Sequence, residues 1–499
     1  MFAGSFLLVM LAYWLTRRQY KLPPGPKPRW LIGNDINQHK TWVHYAELAK
    51  TYGPIMHLSS YGTHFVVLSS EKVVRDLLDR RSSLYSDRPL NPMFEFLGWD
   101  WSLSFMPYSD KWRRHRRVFH ESFRQEAMLQ WNSLQLKKLR ESLRLIDEDP
   151  SNFSRYYRML TASVIMSAVY GYDVTGVDDT FVDIADKAMD TLASAFVLPG
   201  AVGVQFVKVL ALMPSWFPGA ALGQSAANAI HATTRMLEVP FTFVKNNRAE
   251  HGGGRSMAGD LLELHASRNG SVEEETIIKN VTATAYAGAA DTAVSTMLYF
   301  TAAIVLHPHV AKRAQTEIDA LLGGLRLPTF EDRPHLPYVE AIYREIMRWR
   351  PVVPLVTPHS VVMDDVYEGF HFPKGTTFIP NVWAMTRDEN RYADHDTFKP
   401  ERFLDDDGNL NGDDTIFVWG FGRRICPGRY FVSDTIWAFI AMSLAVFDFT
   451  LAKDEHGQDI PVDVNDESDT FIVHPNPFKC SIKPRSHNAE SLLHEKPLV

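Results

Sequence analysis

The sequence predicts a mainly helical fold with a small β region, preceded by an N-terminal membrane-anchor helix. Two long apolar segments carry the helical prediction. One begins at Ser271, which forms a capping box with Glu274, and continues until the His307-Pro308 step ends it. The other runs from Tyr430 to Phe449 and is apolar enough to be a buried helix. The first would cross a whole domain, since each residue advances a helix by about 1.5 Å.

The β region is predicted between Pro54 and Ser69, where apolar and β-branched residues alternate with period two and Tyr61-Gly62 indicates a turn. A helix is expected from Ser70 to about Arg80. Another is expected from Pro337 to Arg350, because it opens on a proline and ends before Pro351. The composition shows no second regime, so residues 31–499 are expected to form one domain.

The first thirty residues predict a membrane anchor and a hinge. Met1 to Leu15 is an uninterrupted apolar run, followed by Arg17 and Arg18, so residues 1–16 are assigned to a transmembrane anchor and 17–30 to a basic, proline-rich hinge. A full span needs roughly 20 apolar residues, so this anchor is short. The positive flank places the rest of the chain in the cytoplasm. A cleaved signal peptide is the alternative, although its basic residues would precede the apolar run.

Composition and charge argue against a nucleic-acid partner and against a disulfide framework. The chain has 499 residues, 45% of them apolar, and a formal net charge of -7, which does not suggest a nucleic-acid partner. It has two cysteines, so a reducing compartment fits and no disulfide framework is implied.

The segment from Phe196 to Leu222 is apolar but broken by prolines. It either dips into a membrane surface or forms a pair of core helices.

The segment around Cys426 indicates a thiolate site. Arg423 and Arg424 immediately precede the sulfur and would favour its ionised form, which is the form that acts as a nucleophile or metal ligand. Gly422 and Gly428 permit close approach of the backbone, as a flat cofactor lying on the loop would require. An isolated cysteine is otherwise a small buried hydrophobe, but an inert core cysteine needs neither the arginines nor the glycines.

Two further pairs of polar residues point to chemistry. Trp112 and Arg116 lie one helical turn apart, so an indole N–H and a guanidinium could reach the same anion. A solvated basic face is the alternative for this cationic run. Asp291 and Thr292 place an acid and a hydroxyl inside the long apolar helix, where two satisfied core residues are the alternative.

The pattern Gly422-x-Arg424-x-Cys426-x-Gly428, with an aromatic residue at Trp419, resembles the haem-binding loop of the cytochrome P450 family. That family usually has Phe where this chain has Trp419, which keeps an aromatic wall and adds an N–H donor. The resemblance implies the cytochrome P450 fold and a haem b whose iron is ligated by the Cys426 thiolate. The other implied cofactor contacts are Trp112, Arg116, His359, Trp419, Gly422, Arg424 and Gly428.

The same resemblance implies that Asp291 and Thr292 deliver protons to oxygen. The family's oxygen-binding helix has a small residue, Gly, any residue, an acid, Thr, and then Thr or Ser. This chain departs from that pattern at Ala289 and Ala293. The missing hydroxyl at Ala293 leaves Thr292 as the single hydroxyl expected to deliver protons.

By resemblance, Glu345 and Arg348 form a buried ion network with Arg402 that supports the cysteine loop. Removal of one partner is expected to cost about 3 to 5 kcal/mol, because it leaves a buried charge unpaired. His120 and the neighbouring cations could face an electron donor. The residues that the resemblance places around a substrate are Phe96, Trp99, Ala287, Val356 and Phe471.

These motifs occur in the family order and cover essentially the whole chain. They imply a monooxygenase anchored in the endoplasmic reticulum membrane of a eukaryote, with its catalytic domain facing the cytoplasm. It would insert one atom of O2 into a hydrophobic small molecule, using electrons that pass from NADPH through NADPH-cytochrome P450 reductase. The segment Phe421 to Arg429 is similar to fungal enzymes of secondary metabolism, which suggests a terpenoid or polyketide substrate.

Three alternatives stay open from the sequence. The first is a monooxygenase that detoxifies xenobiotics. The second is a haem-thiolate isomerase or dehydratase that needs no reductase, which would be expected to lack the acid and hydroxyl present here as Asp291 and Thr292. The third is a membrane-tethered haem or lipid-binding protein without turnover, which NADPH consumption with a reductase would exclude.

Overall fold

A computed structural model describes residues 21–30, 32–36, 39–197, 220–251 and 255–494. The predicted anchor, residues 1–16, lies outside the described residues. So do residues 17–20 of the hinge and residues 198–219 of the broken apolar segment.

Helices dominate the described part of the chain, as predicted. In chain order they are α1 (Thr41–Tyr52), α2 (Glu71–Val74), α3 (Ser82–Tyr85), α4 (Pro92–Phe96), α5 (Asp110–Phe123), α6 (Asn132–Glu148), α7 (Phe153–Tyr170), α8 (Thr180–Val197), α9 (Ala220–His251), α10 (Met257–Ser267), α11 (Val272–Leu306), α12 (Pro308–Leu322), α13 (Pro337–Trp349), α14 (Val382–Met385), α15 (Arg429–Val446) and α16 (His487–His494).

The strands are short and form small sheets. They are β1 (Ile55–Ser60), β2 (Thr63–Leu68), β3 (His359–Ser360), β4 (Asp365–Tyr367), β5 (Phe370–Phe372), β6 (Thr377–Pro380), β7 (Phe447–Leu451) and β8 (Cys480–Pro484). One sheet has the order β1-β2-β6-β3, with β2 and β6 parallel and the other neighbours antiparallel. The strands β4 and β5 form one hairpin, and β7 pairs with β8.

The long helix α11 is the centre of the fold. Its predicted capping box is present: Ser271 accepts from the backbone N–H of Glu274, and Glu274 accepts from that of Ser271. Its 35 residues extend about 52 Å, and it packs against α5, α7 and α15. Among the described residues, α11 and α15 are long and apolar enough to cross a membrane. However, 78% and 72% of their apolar windows are buried inside the protein, so both are core helices here.

The predicted hairpin is confirmed. Ser60 pairs with Thr63, and both turn residues, Tyr61 and Gly62, have positive φ, which is the geometry of a tight two-residue hairpin turn. The helix predicted from Ser70 to Arg80 is also present. Its second half, Arg75–Arg80, is a π-helical turn, a form that often occurs at functional sites.

The predicted end of the last apolar helix is wrong. α15 ends at Val446, and Phe447 begins strand β7. Phe447 and Phe449 are buried while Asp448 and Thr450 are exposed, which is the alternation of a strand with one covered face. Pairing with β8 therefore outweighs the helical tendency of the preceding apolar run.

Candidate functional site

The loop that carries Cys426 is held against the π-helical turn. The backbone N–H of Gly422 donates to Asp79 Oδ1 at 2.6 Å. Gly422 has a φ of +54°, and a Cβ there would lie 2.0 Å from the carbonyl oxygen of Leu78. The close approach predicted for Gly422 is therefore an approach to protein backbone. At Gly428, by contrast, a Cβ would meet no atom of the described residues within 4 Å other than those of its chain neighbours.

Cys426 is a half-buried residue that lies just before helix α15. The backbone N–H of Cys426 donates to the carbonyl of Trp419 at 2.9 Å, which closes the loop. Burial raises the pKa of the Cys426 thiol. A hydrogen bond from the backbone of Gly428 and the charges of Arg116 and Arg429 lower that pKa and so oppose the effect of burial.

The prediction that Arg423 and Arg424 activate the sulfur is wrong. The buried guanidinium of Arg424 donates to the carbonyl oxygens of Ser86 and Met106, each at 2.8 Å, so it fixes the loop instead. Arg423 is exposed and hydrogen-bonds to the hydroxyl of Tyr108. The cations that act on the sulfur come from helix α5 and from the first turn of α15.

Helix α5 presents two of the predicted cofactor contacts. It begins at Asp110, where Ser109 accepts from the backbone N–H of Trp112 and caps the helix. Trp112 and Arg116 lie four residues apart and therefore share one face. The indole of Trp112 is buried, and its Nε1 has no hydrogen-bond partner among the described residues. Arg116 is half-buried and forms no ion pair within the described ranges, and burial lowers its pKa.

His359 offers a second buried nitrogen. Its Nδ1 lies 2.8 Å from the carbonyl of Tyr85, and because a carbonyl can only accept, Nδ1 carries the proton. Nε2 is buried and has no partner in the described part of the chain. Burial and the charges of Arg88 and Arg424 hold the pKa of His359 far below its usual value. An anion placed at Nε2 would raise that pKa by favouring the imidazolium.

Sequence reasoning assigned no role to Arg88. Its buried guanidinium donates to the carbonyl oxygens of Ser104 (2.9 Å), Thr357 (2.8 Å) and Pro358 (2.7 Å). It therefore ties the segment before β3 to the turn that follows α4. The sequence shows only an Arg-Pro step at this position, and nothing in that step indicates burial.

The face of α11 that carries Thr292 also carries Gly288. The hydroxyl of Thr292 donates to the carbonyl of Gly288 at 2.8 Å. A Cβ at Gly288 would meet no atom of the described part of the chain within 4 Å beyond its own helix turn. Ala287, Ala289 and Ala293 are buried beside them. The small residues thus leave room for a small molecule next to the Thr292 hydroxyl.

The carboxylate of Asp291 has protein partners that the sequence did not indicate. Its Oδ2 lies 2.9 Å from Nε2 of His474, and its Oδ1 lies 3.7 Å from Nη1 of Arg158. These partners lie 183 residues after and 133 residues before Asp291 in the numbering, and neither belongs to a recognisable local motif.

The structure brings Glu345, Arg348 and Arg402 into one network. Oε1 of Glu345 accepts from Nη2 of Arg348 at 2.8 Å and from Nε of Arg402 at 3.2 Å. It also accepts the backbone N–H of Lys399 at 2.8 Å. The spare N–H groups of Arg348 donate to backbone carbonyls, among them that of His395 at 2.8 Å. The carboxylate and both guanidinium groups of this network therefore have hydrogen-bond partners.

The residues predicted around a substrate lie in different places. Phe96 lines a cavity of about 670 Å³ between α4, α8 and α9, and Phe471 lines another of about 800 Å³ beside Asp291. Trp99 is buried, and its N–H donates to Thr191 Oγ1 at 3.1 Å. Val356 has a φ of +32°, which is strained for a β-branched residue, and its side chain lies beside Gly420 of the cysteine loop.

Comparison with known proteins identifies the family. Residues 23–482 match the family described as Cytochrome P450. The chain belongs to the cytochrome P450 family. It is 37% identical to a cytochrome P450 monooxygenase of Armillaria gallica over 97% of each chain. It is also 37% identical to Cytochrome P450 monooxygenase COX2 of Coprinopsis cinerea, over 96% of this chain and 92% of that one. Cytochrome P450 monooxygenase claR of Ampulloclitocybe clavipes is 34% identical, over 98% and 91%.

The residues of this cytochrome P450 fit haem, the cofactor that the family implies. Haem carries two carboxylates, and the buried Nε1 of Trp112 and Nε2 of His359 are two polar atoms without partners in the described residues. Arg116, which forms no ion pair with a carboxylate among the described residues, adds a cation on the same helix face as Trp112. The space at Gly428 leaves room for a flat group over the loop that presents the Cys426 sulfur.

Proposed function

We propose that this cytochrome P450 uses haem bound through the Cys426 thiolate to oxidise a hydrophobic small molecule. In the balanced reaction, substrate, O2, NADPH and one proton give hydroxylated substrate, water and NADP⁺. The observation that carries the proposal is the cysteine loop, whose sulfur is acted on by the charge of Arg116. The buried nitrogens of Trp112 and His359, which have no partner among the described residues, are suited to anionic carboxylates.

The chain's own residues have separate tasks in this reaction. Bound haem would supply the centre at which O2 is reduced and one oxygen atom is transferred. The N–H of Gly428 and the charges of Arg116 and Arg429 stabilise the Cys426 thiolate. Trp112, Arg116 and His359 would hold the carboxylates of the cofactor. Thr292 holds a proton on its hydroxyl at the open face of α11, and Asp291 is the adjacent acid that can replace this proton.

The proposed substrate is a hydrophobic product of fungal secondary metabolism, such as a terpenoid or polyketide intermediate. The fungal origin of the relatives named above supports this class, as does the resemblance of the loop around Cys426 to enzymes of that metabolism. The aliphatic side chain of Val356, which lies beside Gly420 of the cysteine loop, is suited to contact such a molecule. Electrons would come from NADPH through a separate reductase.

We further propose that the protein is attached to the endoplasmic reticulum membrane with its catalytic domain in the cytoplasm. The apolar residues 1–16 and the basic flank support an anchor. The hinge itself is held against strand β1: the N–H of His57 donates to the carbonyl of Pro24 at 2.9 Å. Near this point Trp30 and Tyr61 are 87% and 48% exposed, and such residues favour the membrane interface.

A spectrum of the purified, reduced protein under carbon monoxide tests the proposal. We expect a Soret band at the long-wavelength position typical of thiolate ligation. The variant Cys426→Ala should lose this band, whereas Cys480→Ala, which removes the other cysteine from strand β8, should keep it. A wild-type band at the imidazole-like position, or a band that survives in Cys426→Ala, would contradict the proposed ligation.

A further inference from the structure

The acid on helix α11 is held in place by two other parts of the chain. Nε2 of His474 lies 2.9 Å from one carboxylate oxygen of Asp291, and Nη1 of Arg158 lies 3.7 Å from the other. On the same side of α11, the hydroxyl of Thr161 donates to the carbonyl of Ala290 at 3.2 Å. The carboxylate is therefore directed toward α7 and the segment 468–478.

A cavity of about 800 Å³ reaches this carboxylate from the protein surface. The titratable and charged side chains that line it are those of Arg158, Asp186, Asp190, Asp291 and His474. Arg158 and Asp186, at the outer side, are 46% and 52% exposed, whereas Asp291 and His474 are 20% and 18% exposed. Water can therefore approach Asp291 through this cavity, past the charged side chains of Arg158 and Asp186.

The chain segment that carries His474 is fixed on α11. The hydroxyl of Ser295 donates to the carbonyl of Val473 at 2.5 Å. The backbone N–H of His474 donates to Ser468 Oγ at 3.0 Å, and the N–H of Ser468 donates back to the carbonyl of His474 at 2.8 Å. Because a carboxylate accepts, Nε2 of His474 is the donor in its contact with Asp291.

From these contacts we infer that the cavity is the entrance through which solvent protons reach Asp291, and that His474 is the positioning residue that keeps the carboxylate in it. The inference rests on the proposed function, because the protons are consumed in the reduction of O2. Without His474 the carboxylate loses its shortest contact and can turn away from the cavity. Protons would then reach Thr292 more slowly.

The stoichiometry of O2 reduction reports this proton supply without a known substrate. One NADPH and one proton reduce O2 to hydrogen peroxide. Two NADPH and two protons reduce O2 to two molecules of water. A slower proton supply favours release of peroxide, so the number of NADPH molecules oxidised per O2 falls toward one.

The experiment uses the full chain with haem and a cytochrome P450 reductase, and measures NADPH and O2 consumption in H2O and D2O. His474→Ala should lower the NADPH:O2 ratio toward one and increase the solvent isotope effect. His474→Gln, whose amide N–H can donate to the same carboxylate, should restore the wild-type values. His494→Ala is the matched control, because it removes a comparable contact of 3.1 Å to Asp147 on another surface.

A second measurement tests the contact without turnover. Urea unfolding of His474→Ala, Asp291→Asn and the double variant should show non-additive midpoint shifts, as expected for residues in contact. Additive midpoint shifts would overturn the inference. An NADPH:O2 ratio of one in the wild-type protein would also overturn it, as would an unchanged NADPH:O2 ratio in His474→Ala. If the wild-type protein oxidises no NADPH with any reductase, the proposed function itself fails, and the inference fails with it.

Discussion

Nε of Arg348 lies 2.6 Å from Oε2 of Glu345, and neither side chain is exposed to solvent. Arg402 donates to the other oxygen of the same carboxylate at 3.2 Å. This relationship joins helix α13 to the segment that precedes the cysteine loop. A substitution in this network can therefore destabilise the cysteine loop without contacting it.

We predict that Arg402→Ala lowers the free energy of unfolding by about 3 to 5 kcal/mol, because it removes a partner of a buried carboxylate. The variant should also retain less haem after purification. Urea unfolding and the absorbance ratio of haem to protein measure the two effects. Arg313→Ala is the control: its ion pair with Glu401 is largely exposed, so the loss should stay below about 1 kcal/mol. Full stability and haem content in Arg402→Ala would refute this role.

Trp112→Phe should weaken haem binding while leaving the fold intact. The change removes the indole N–H but keeps an aromatic ring under Arg424, whose guanidinium lies 4.3 Å from the Trp112 ring centre. A hydrogen bond to a charged group is worth about 1.5 to 3 kcal/mol. Haem transfer to an excess of an apo-haem protein should therefore be about 10 to 150 times faster.

The control for this prediction is Trp131→Phe, which removes another buried indole N–H that has no partner among the described residues. Haem transfer from that variant should match the wild-type rate. Equal rates for Trp112→Phe and wild type would show that the indole does not contact the cofactor.

The two glycines of the cysteine loop should respond differently to a methyl group. Gly422→Ala requires positive φ and a Cβ 2.0 Å from the Leu78 carbonyl, so the haem-free protein should lose at least about 2 kcal/mol of stability. Gly428→Ala has space on the protein side and an ordinary φ of −89°. It should keep the stability of the haem-free protein and lower its affinity for haem, as measured by urea unfolding and haem titration.

Asp434 gives the protein a specific pH dependence. Burial raises the pKa of Asp434 to about 6, although its ion pair with Arg333 at 3.0 Å acts in the other direction. The folded chain therefore holds this proton more tightly than the unfolded chain, whose Asp titrates near about 4. The resulting stabilisation is complete below about pH 4 and is lost as the pH rises through about 6.

Asp434→Asn should remove this dependence. The stability of the variant relative to wild type should rise by about 1 kcal/mol between pH 5 and pH 7.5, as measured by urea unfolding. Asp406→Asn, at an exposed position, controls for the change in net charge. A constant difference between Asp434→Asn and wild type over this range would contradict the shifted pKa.

Local sequence signals predicted the elements that depend on local interactions. The capping box at Ser271, the turn at Tyr61-Gly62 and the proline that opens α13 all appear at the expected positions. The end of α15 was mispredicted because strand β8, which pairs with Phe447–Leu451, lies some thirty residues further along the chain.

The site residues also divide into those that local motifs predict and those that only the folded chain brings together. Arg429, the second cation near the sulfur, was given no role from the sequence. Arg116, Gly428 and the members of the Glu345 network were named from motifs. The partners of Asp291 were not, because His474 and Arg158 meet it only in the folded chain. The roles of Arg423 and Arg424 were misjudged for a related reason: proximity in sequence suggested an effect on the sulfur, whereas Arg424 extends to carbonyls more than 300 residues away.

The long-range anchoring of the cysteine loop has a consequence for biogenesis. Gly422 and Arg424 contact Asp79 and Ser86, segments that precede them by 343 and 338 residues. A ribosome adds about 5 to 20 residues per second, so the earlier segments wait tens of seconds for their partners. The cysteine loop can therefore be anchored only after Arg424 has been synthesised, and haem capture follows this step instead of guiding it.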